Sequence, residues 1–131
     1  MFVTDQDVKI LAVDDHPAFR EVLRDLIAAA PGFVLVGQAS SGEEALRAVE
    51  RLTPELVFMD VAMPGMGGIA ATAAILSRRP NVVVVLISVE DPSLHPDASA
   101  LGDTVVCARK QDLRPQQLKQ IWEAHQHAHR R

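Results

Sequence analysis

The sequence predicts an α/β domain built on a doubly wound, five-stranded parallel sheet. Three observations carry that expectation. Short apolar runs at Val8–Val13, Leu56–Met59 and Val82–Ile87 have strand length and lack polar alternation, the mark of strands buried on both faces. Stretches with helical apolar spacing separate these runs. Several of the runs stop abruptly at a carboxylate or hydroxyl: Asp14-Asp15, Asp60 and Ser88. Strands alternating with helices imply right-handed crossovers and helices on both faces of a parallel sheet.

The chain has 131 residues, enough for one domain with a sizeable core, and 48% of them are apolar. We expect a single domain over residues 1–131, with no output domain within the chain. A formal net charge of −4 argues against direct nucleic-acid binding by this chain, which calls for a basic footprint. Cys107 is the only cysteine, so neither an internal disulfide nor a cysteine-rich metal centre is available. The N-terminal residues carry no basic and apolar leader pattern, and the longest apolar run is too short for a bilayer. The expected class is a soluble cytoplasmic domain with no membrane partner.

Val8–Val13 reads as the first strand. Pro17 suits the first turn of the following helix, with Asp15 or His16 near its cap. Phe19, Val22, Leu23, Leu26 and Ile27 form its apolar face, and Pro31-Gly32 stops it. Phe33–Val36 is the second strand and Gly37–Gly42 a loop. Ser41, with Glu44 three residues on, predicts a capping box for a helix reaching about Leu52. The third strand ends in Asp60, and Met63-Pro64-Gly65 turns the chain. Gly68–Arg78 is an Ala-rich helix. The fourth strand, Val82–Ile87, leads to Ser88. Pro92 and Pro96 leave room only for a short fourth helix, from Pro96 to Leu101. Thr104–Cys107 is a fifth strand leading to Lys110. Leu113, Leu118, Ile121 and Trp122 organise the last helix.

In such a sheet the strand ends converge on one edge, where open α/β folds place their chemistry. Asp14, Asp15 and Asp60 would repel one another there unless a counter-charge is supplied. A hard divalent cation answers this, and Mg²⁺ suits one or two carboxylates, several waters and phosphate oxygens. Lys110 adds a second positive charge. The set suits phosphoryl transfer onto an aspartate, with Ser88 and Lys110 hydrogen-bonding or neutralising the phosphoryl oxygens.

Over nearly its whole length the chain resembles the receiver domain of two-component response regulators. The matching pieces are Leu11-Ala-Val-Asp14-Asp15-His-Pro17, Gly37-Gln-Ala-Ser-Ser-Gly42-Glu-Glu-Ala-Leu46, Met59-Asp60-Val-Ala-Met63-Pro64-Gly-Met-Gly-Gly68, Leu86-Ile-Ser88 and Lys110. The Asp-Asp-His-Pro start is similar to the subfamily usually followed by a LuxR/NarL-type helix-turn-helix output domain. The resemblance implies a flavodoxin-like fold with strand order 2-1-3-4-5. It implies that Asp60 is the phosphoacceptor and that Ser88 and Lys110 assist. It implies that Mg²⁺ is held by Asp14, Asp15, Asp60 and the backbone carbonyl of Ala62. It further implies a sensor histidine kinase as partner, no enzymatic activity beyond the domain's own phosphorylation and dephosphorylation, and homodimerisation through the fourth helix, fifth strand and last helix. Four departures stand out. Gly67 replaces the family's usual Asp or Asn, Cys107 its Tyr or Phe, and Gln111 the proline common in the wider family. Pro92 and Pro96 interrupt the fourth-helix region. All but the first bear on the output-facing surface.

Each residue has a plainer reading. Asp14 and Asp15 alone would be helix caps, Ser88 a strand-end residue and Lys110 a surface lysine. Their joint occurrence with Asp60 reverses that preference. His16 reads as a solvated loop residue and not a ligand, Cys107 as a small core hydrophobe and Trp122 as a helix anchor. His125, His127 and His129 read as a solvated tail. The rival to a phosphoacceptor is a phosphorylation-independent binding module of the same fold. An aspartyl-phosphate hydrolase ranks below both, because Ala62 stands where a general acid would be needed.

Overall fold

The computed structural model describes residues 6–125. Five parallel strands lie in the order β2-β1-β3-β4-β5. They are β1 (Val8–Val13), β2 (Phe33–Ala39), β3 (Leu56–Asp60), β4 (Val83–Ser88) and β5 (Val105–Arg109). The α-helices are α1 (Pro17–Ala28), α2 (Gly42–Leu52), α3 (Gly68–Arg78) and α4 (Pro115–His125).

Side chains of the central strands alternate between two cores. Leu11, Val13, Val57, Met59, Val84 and Leu86 pack with Ala45, Val49, Ala71 and Ile75 of α2 and α3. Ile10, Ala12, Leu56, Phe58, Val85 and Ile87 pack with Leu23, Ile27 and Leu118 of α1 and α4. Both faces are therefore covered, and β3 is buried at every position, Asp60 included. Phe58 alone, fully buried, contributes on the order of 2 kcal/mol by leaving water.

Half of the expected capping box at α2 forms: Glu44 N donates to Ser41 Oγ at 3.1 Å, whereas Glu44 Oε1 accepts from Ser40 N, one residue before the cap, at 2.7 Å. His16 occupies the cap of α1 without a side-chain cap bond. The backbone between β3 and α3 depends on glycine twice. Gly67 sits at φ 77°, ψ 161°, a region essentially closed to other residues, which accounts for the departure from Asp or Asn there. A Cβ on Gly68 would lie 2.0 Å from the Asp60 carbonyl oxygen, so only glycine lets α3 start against the end of β3.

Four boundaries differ from the sequence reading. β2 runs on to Ala39, because Gly37, Gln38 and Ala39 pair with Leu11, Ala12 and Val13 after a register shift that leaves Val36 unpaired. β4 begins at Val83, not Val82. β5 is displaced towards its carboxyl end, because its partners on β4 extend to Ser88 opposite Arg109. The expected fourth helix is absent as an α-helix: the crossover from β4 to β5 holds two 3₁₀ turns, Pro92–Leu94 and Ala98–Leu101. Proline at 92 and 96 removes the donors that a continuous helix needs. The βαβ alternation therefore breaks at that one crossover.

Candidate functional site

β1 and β3 are neighbours, with Val13 opposite Met59, so Asp14 and Asp60 emerge side by side at the carboxyl edge. Asp14 is fully buried and Asp60 is 2% exposed. Lys110 enters from the turn after β5. Its Nζ lies 2.7 Å from Asp14 Oδ2, an ion pair that is not aligned as a hydrogen bond, and 3.7 Å from Asp60 Oδ1. The same ammonium stands 4.6 Å from the centre of the Phe19 ring.

The carboxylates are held unequally. Asp60 Oδ1 accepts from Ala62 N at 3.3 Å, while Oδ2 is buried and accepts no hydrogen bond. Asp14 Oδ1 accepts from His16 N at 2.8 Å and touches His16 Nδ1 at 3.1 Å. Asp15 Oδ1 is likewise buried and 3.1 Å from His16 Nδ1, without hydrogen-bond alignment. Burial first, and the neighbouring Asp14 charge second, push the Asp60 carboxyl up from 3.8 to about 6, although Lys110 and the Ala62 amide pull it down. Orphaned buried oxygens and crowded acids fit a hard divalent cation, which would satisfy both.

Ser88 ends β4, one residue beyond the Asp60–Ile87 pair, and is half-buried; among the described residues its hydroxyl has no hydrogen-bond partner. Ala62 is exposed beside Asp60. Asp14, Asp15, Asp60 and Lys110 are thus brought together, with Ser88 on the adjoining strand.

Three contributors escaped the sequence reading. His16 bridges the two acids and is not merely solvated. Phe19, read as helix core, underlies Lys110. Arg20 donates from Nη1 to the Asp14 carbonyl at 2.7 Å and from Nε to Gln38 Oε1 at 3.2 Å, tying α1 to the ends of β1 and β2. Their common signal was position on the first turn after the acidic pair. Gln111, in place of the common proline, donates from Nε2 to Val89 O at 3.1 Å and links the loops after β4 and β5. Cys107 is partly buried against the α2–α3 core, and burial, with Asp91 second, raises its thiol. Trp122 packs on the opposite core, as an anchor of α4. His125 Nδ1 lies 3.1 Å from Asp103 O, whereas His127 and His129 lie outside the described residues.

A family model for the response regulator receiver domain matches residues 10–102. The chain belongs to that family. This receiver is 45% identical over 87 residues to the response regulator GacA of Pseudomonas syringae pv. syringae (strain B728a), a match covering 65% of this chain and 41% of that protein. It is 46% identical over 79 residues to a protein-glutamate methylesterase/protein-glutamine glutaminase of Geobacter metallireducens, covering 60% of this chain and 23% of that enzyme. Its fold matches a LuxR-family two-component response regulator from Aurantimonas sp. SI85-9A1 with a TM-score of 0.77 at 33% identity, over 90% of this chain and 84% of that one. The receiver thus spans less than half the length of the two full-length relatives. Among the described residues, no helix is long and apolar enough to cross a membrane.

Proposed function

We propose that this receiver accepts a phosphoryl group on Asp60 from the phosphohistidine of a sensor kinase in the cytoplasm. One observation carries the choice of residue: Asp60 Oδ2 is buried and without a hydrogen bond, while Oδ1 is held by the Ala62 amide and lies near Lys110. Oδ2 is the oxygen free to attack. Its bond to phosphorus forms as the P–N bond of the donor breaks, and the electron pair leaves on the imidazole nitrogen, which takes a proton.

Asp14, Asp15, Asp60 and the Ala62 carbonyl would hold Mg²⁺, which when bound supplies positive charge to the carboxylates and the phosphoryl oxygens. Lys110, fixed by Asp14 and Phe19, holds its ammonium where charge develops on the phosphoryl group. Ser88 has a free hydroxyl to donate to a phosphoryl oxygen. Reorientation of Ser88 would carry the signal into the loop after β4 and the surface of β5 and α4, where dimerisation would follow. Kinase recognition, dimerisation and the lack of any activity beyond phosphate turnover all belong to this proposal.

Incubation with Mg²⁺ and a small phosphodonor, followed by intact mass, tests it. The wild type should gain one phosphoryl-sized increment and Asp60→Asn none. An increment retained in Asp60→Asn would reassign the acceptor. No increment in the folded wild type would favour the phosphorylation-independent binding module, a reading supported by the rebuilt fourth crossover and Cys107.

A further inference from the structure

Ser88 and Lys110 reach the acidic end from neighbouring strands, and the two are not held alike. Lys110 is held by side chain and backbone together. Its ammonium pairs with Asp14 and stands over Phe19. Its backbone opens a 3₁₀ turn, Lys110–Asp112, and Leu113 follows that turn into the core under α1 and α4. Arg114 Nη1 donates to the carbonyls of Gln111 at 3.1 Å and Leu113 at 2.8 Å, closing the turn from outside. Ser88 has less support. It is the last residue of β4 to pair with β5, opposite Arg109. Val89 beyond it is 66% exposed, and the crossover that follows is shaped by its own 3₁₀ turns. One side chain links the firm turn to the loose end: Gln111 Nε2 donates to Val89 O at 3.1 Å. The bond lies one residue beyond the Ser88–Arg109 pair, so it carries the link between β4 and β5 past the last rung of their ladder.

We propose that Gln111 is a positioning residue for phosphoryl transfer: by holding Val89 O, it fixes where Ser88 stands relative to Lys110. This role rests on the reading of Asp60 as phosphoacceptor and on Ser88 donating to a phosphoryl oxygen. Among the described residues the Ser88 hydroxyl has no hydrogen-bond partner, so its own contacts do not aim it and the backbone must. Only a few soft dihedrals separate the Val89 carbonyl from the Ser88 side chain, and a held carbonyl restricts them. Misplacing a reacting group by about 1 Å can cost about a hundredfold in rate. The amide of Gln111 is neutral, so the link steadies Ser88 without adding charge beside Asp14 and Lys110.

Initial rates of phosphoryl uptake from acetyl phosphate with Mg²⁺, followed by intact mass, test this on the full chain. The set is the wild type, Gln111→Met, Gln111→Glu, Ser88→Ala and the two double variants. Met keeps the length of Gln without a donor, and ionised Glu keeps its shape but only accepts. Both should slow uptake by roughly fivefold, the scale of one lost hydrogen bond. Ser88→Ala should slow it at least as much. Adding either Gln111 change to Ser88→Ala should cost less than about twofold more, because the link then has no hydroxyl to aim. Melting temperatures of the Gln111 variants should stay near that of the wild type, since the side chain is exposed. Wild-type rates in both Gln111 variants would overturn the role, as would an undiminished loss on top of Ser88→Ala. A rate loss that tracks a fall in melting temperature in both variants would make Gln111 a residue of the fold and equally overturn it. No uptake by the folded wild type is a different failure: it sinks the reading of Asp60 beneath this role, and the role with it.

Discussion

The carboxyl edge of the sheet and the crossover from β4 to β5 are joined at Ser88, yet they are held by different forces. At the edge, Asp14, Asp60 and Lys110 are charges taken out of water and fixed by strands packed on both faces. In the crossover, Pro92 and Ala98 are the only buried residues between 90 and 101, and Leu94 is 79% exposed. Its shape comes from local bonds: Asp91 Oδ1 accepts from Ser93 N at 2.9 Å and Ser93 Oγ at 2.7 Å, and His95 N donates to Pro92 O at 3.0 Å. Tertiary packing determines the site, whereas turn chemistry determines the crossover. Substitutions should therefore cost a great deal at the edge and little in the crossover.

The largest effect is expected for Lys110→Ala. Among the described residues it removes the only lysine or arginine side chain paired with the Asp14 carboxylate. Breaking a buried ion pair from one side typically costs about 3 kcal/mol. Urea denaturation at neutral pH without divalent ions measures this, and a loss below about 0.5 kcal/mol would remove the contrast between the two regions.

Asp60→Asn should act in the opposite direction and with less force. The folded carboxyl is raised from 3.8 to about 6, so ionisation penalises the folded state. The penalty is absent below the unfolded value, grows between the two, and is complete above about 6. In chelator the variant should be more stable than wild type by at most about 3 kcal/mol above that range. The gain should vanish as the pH falls to about 4. Denaturation midpoints measured across this range give the answer, and a gain independent of pH would show that Asp60 charge is not its source.

The smallest effect belongs to the crossover. Leu94→Ser should change stability by no more than about 0.5 kcal/mol, because the side chain is already in water. A thermal melt suffices, and a much larger loss would reveal packing that the exposure does not show.

Most of the fold was legible because its signals were local. The runs at Val8–Val13 and Leu56–Asp60, the capping box at Ser41 and the proline-glycine stops each act within a few residues. Gly37–Ala39 reads as loop in the sequence because glycine usually marks a turn, whereas pairing with β1 overrides that preference in the fold. The end of β5 was set by β4, a partner invisible in a local reading. At the site, the acids and Lys110 were legible from their strand-end positions. The bridging of Asp14 and Asp15 by His16 and the stacking of Lys110 on Phe19 were not, since both depend on how α1 rotates against the sheet. The broken fourth crossover was half legible: the prolines excluded a long helix, but the choice of 3₁₀ turns depended on Asp91 and Gly102.

The strand order has a consequence for synthesis. β1 lies between β2 and β3, β4 adds to the free edge of β3, and β5 adds to β4. A chain emerging from its N-terminus can thus extend the sheet outward in one direction after the third strand, without reopening a pair already made. Asp14 and Asp60 are brought together at that third strand, but Lys110 follows the fifth, fifty residues after Asp60. Until then the pair lacks the ammonium that faces both carboxylates in the complete sheet. The last strand therefore delivers both the closing edge of the sheet and the positive charge that faces its acidic centre.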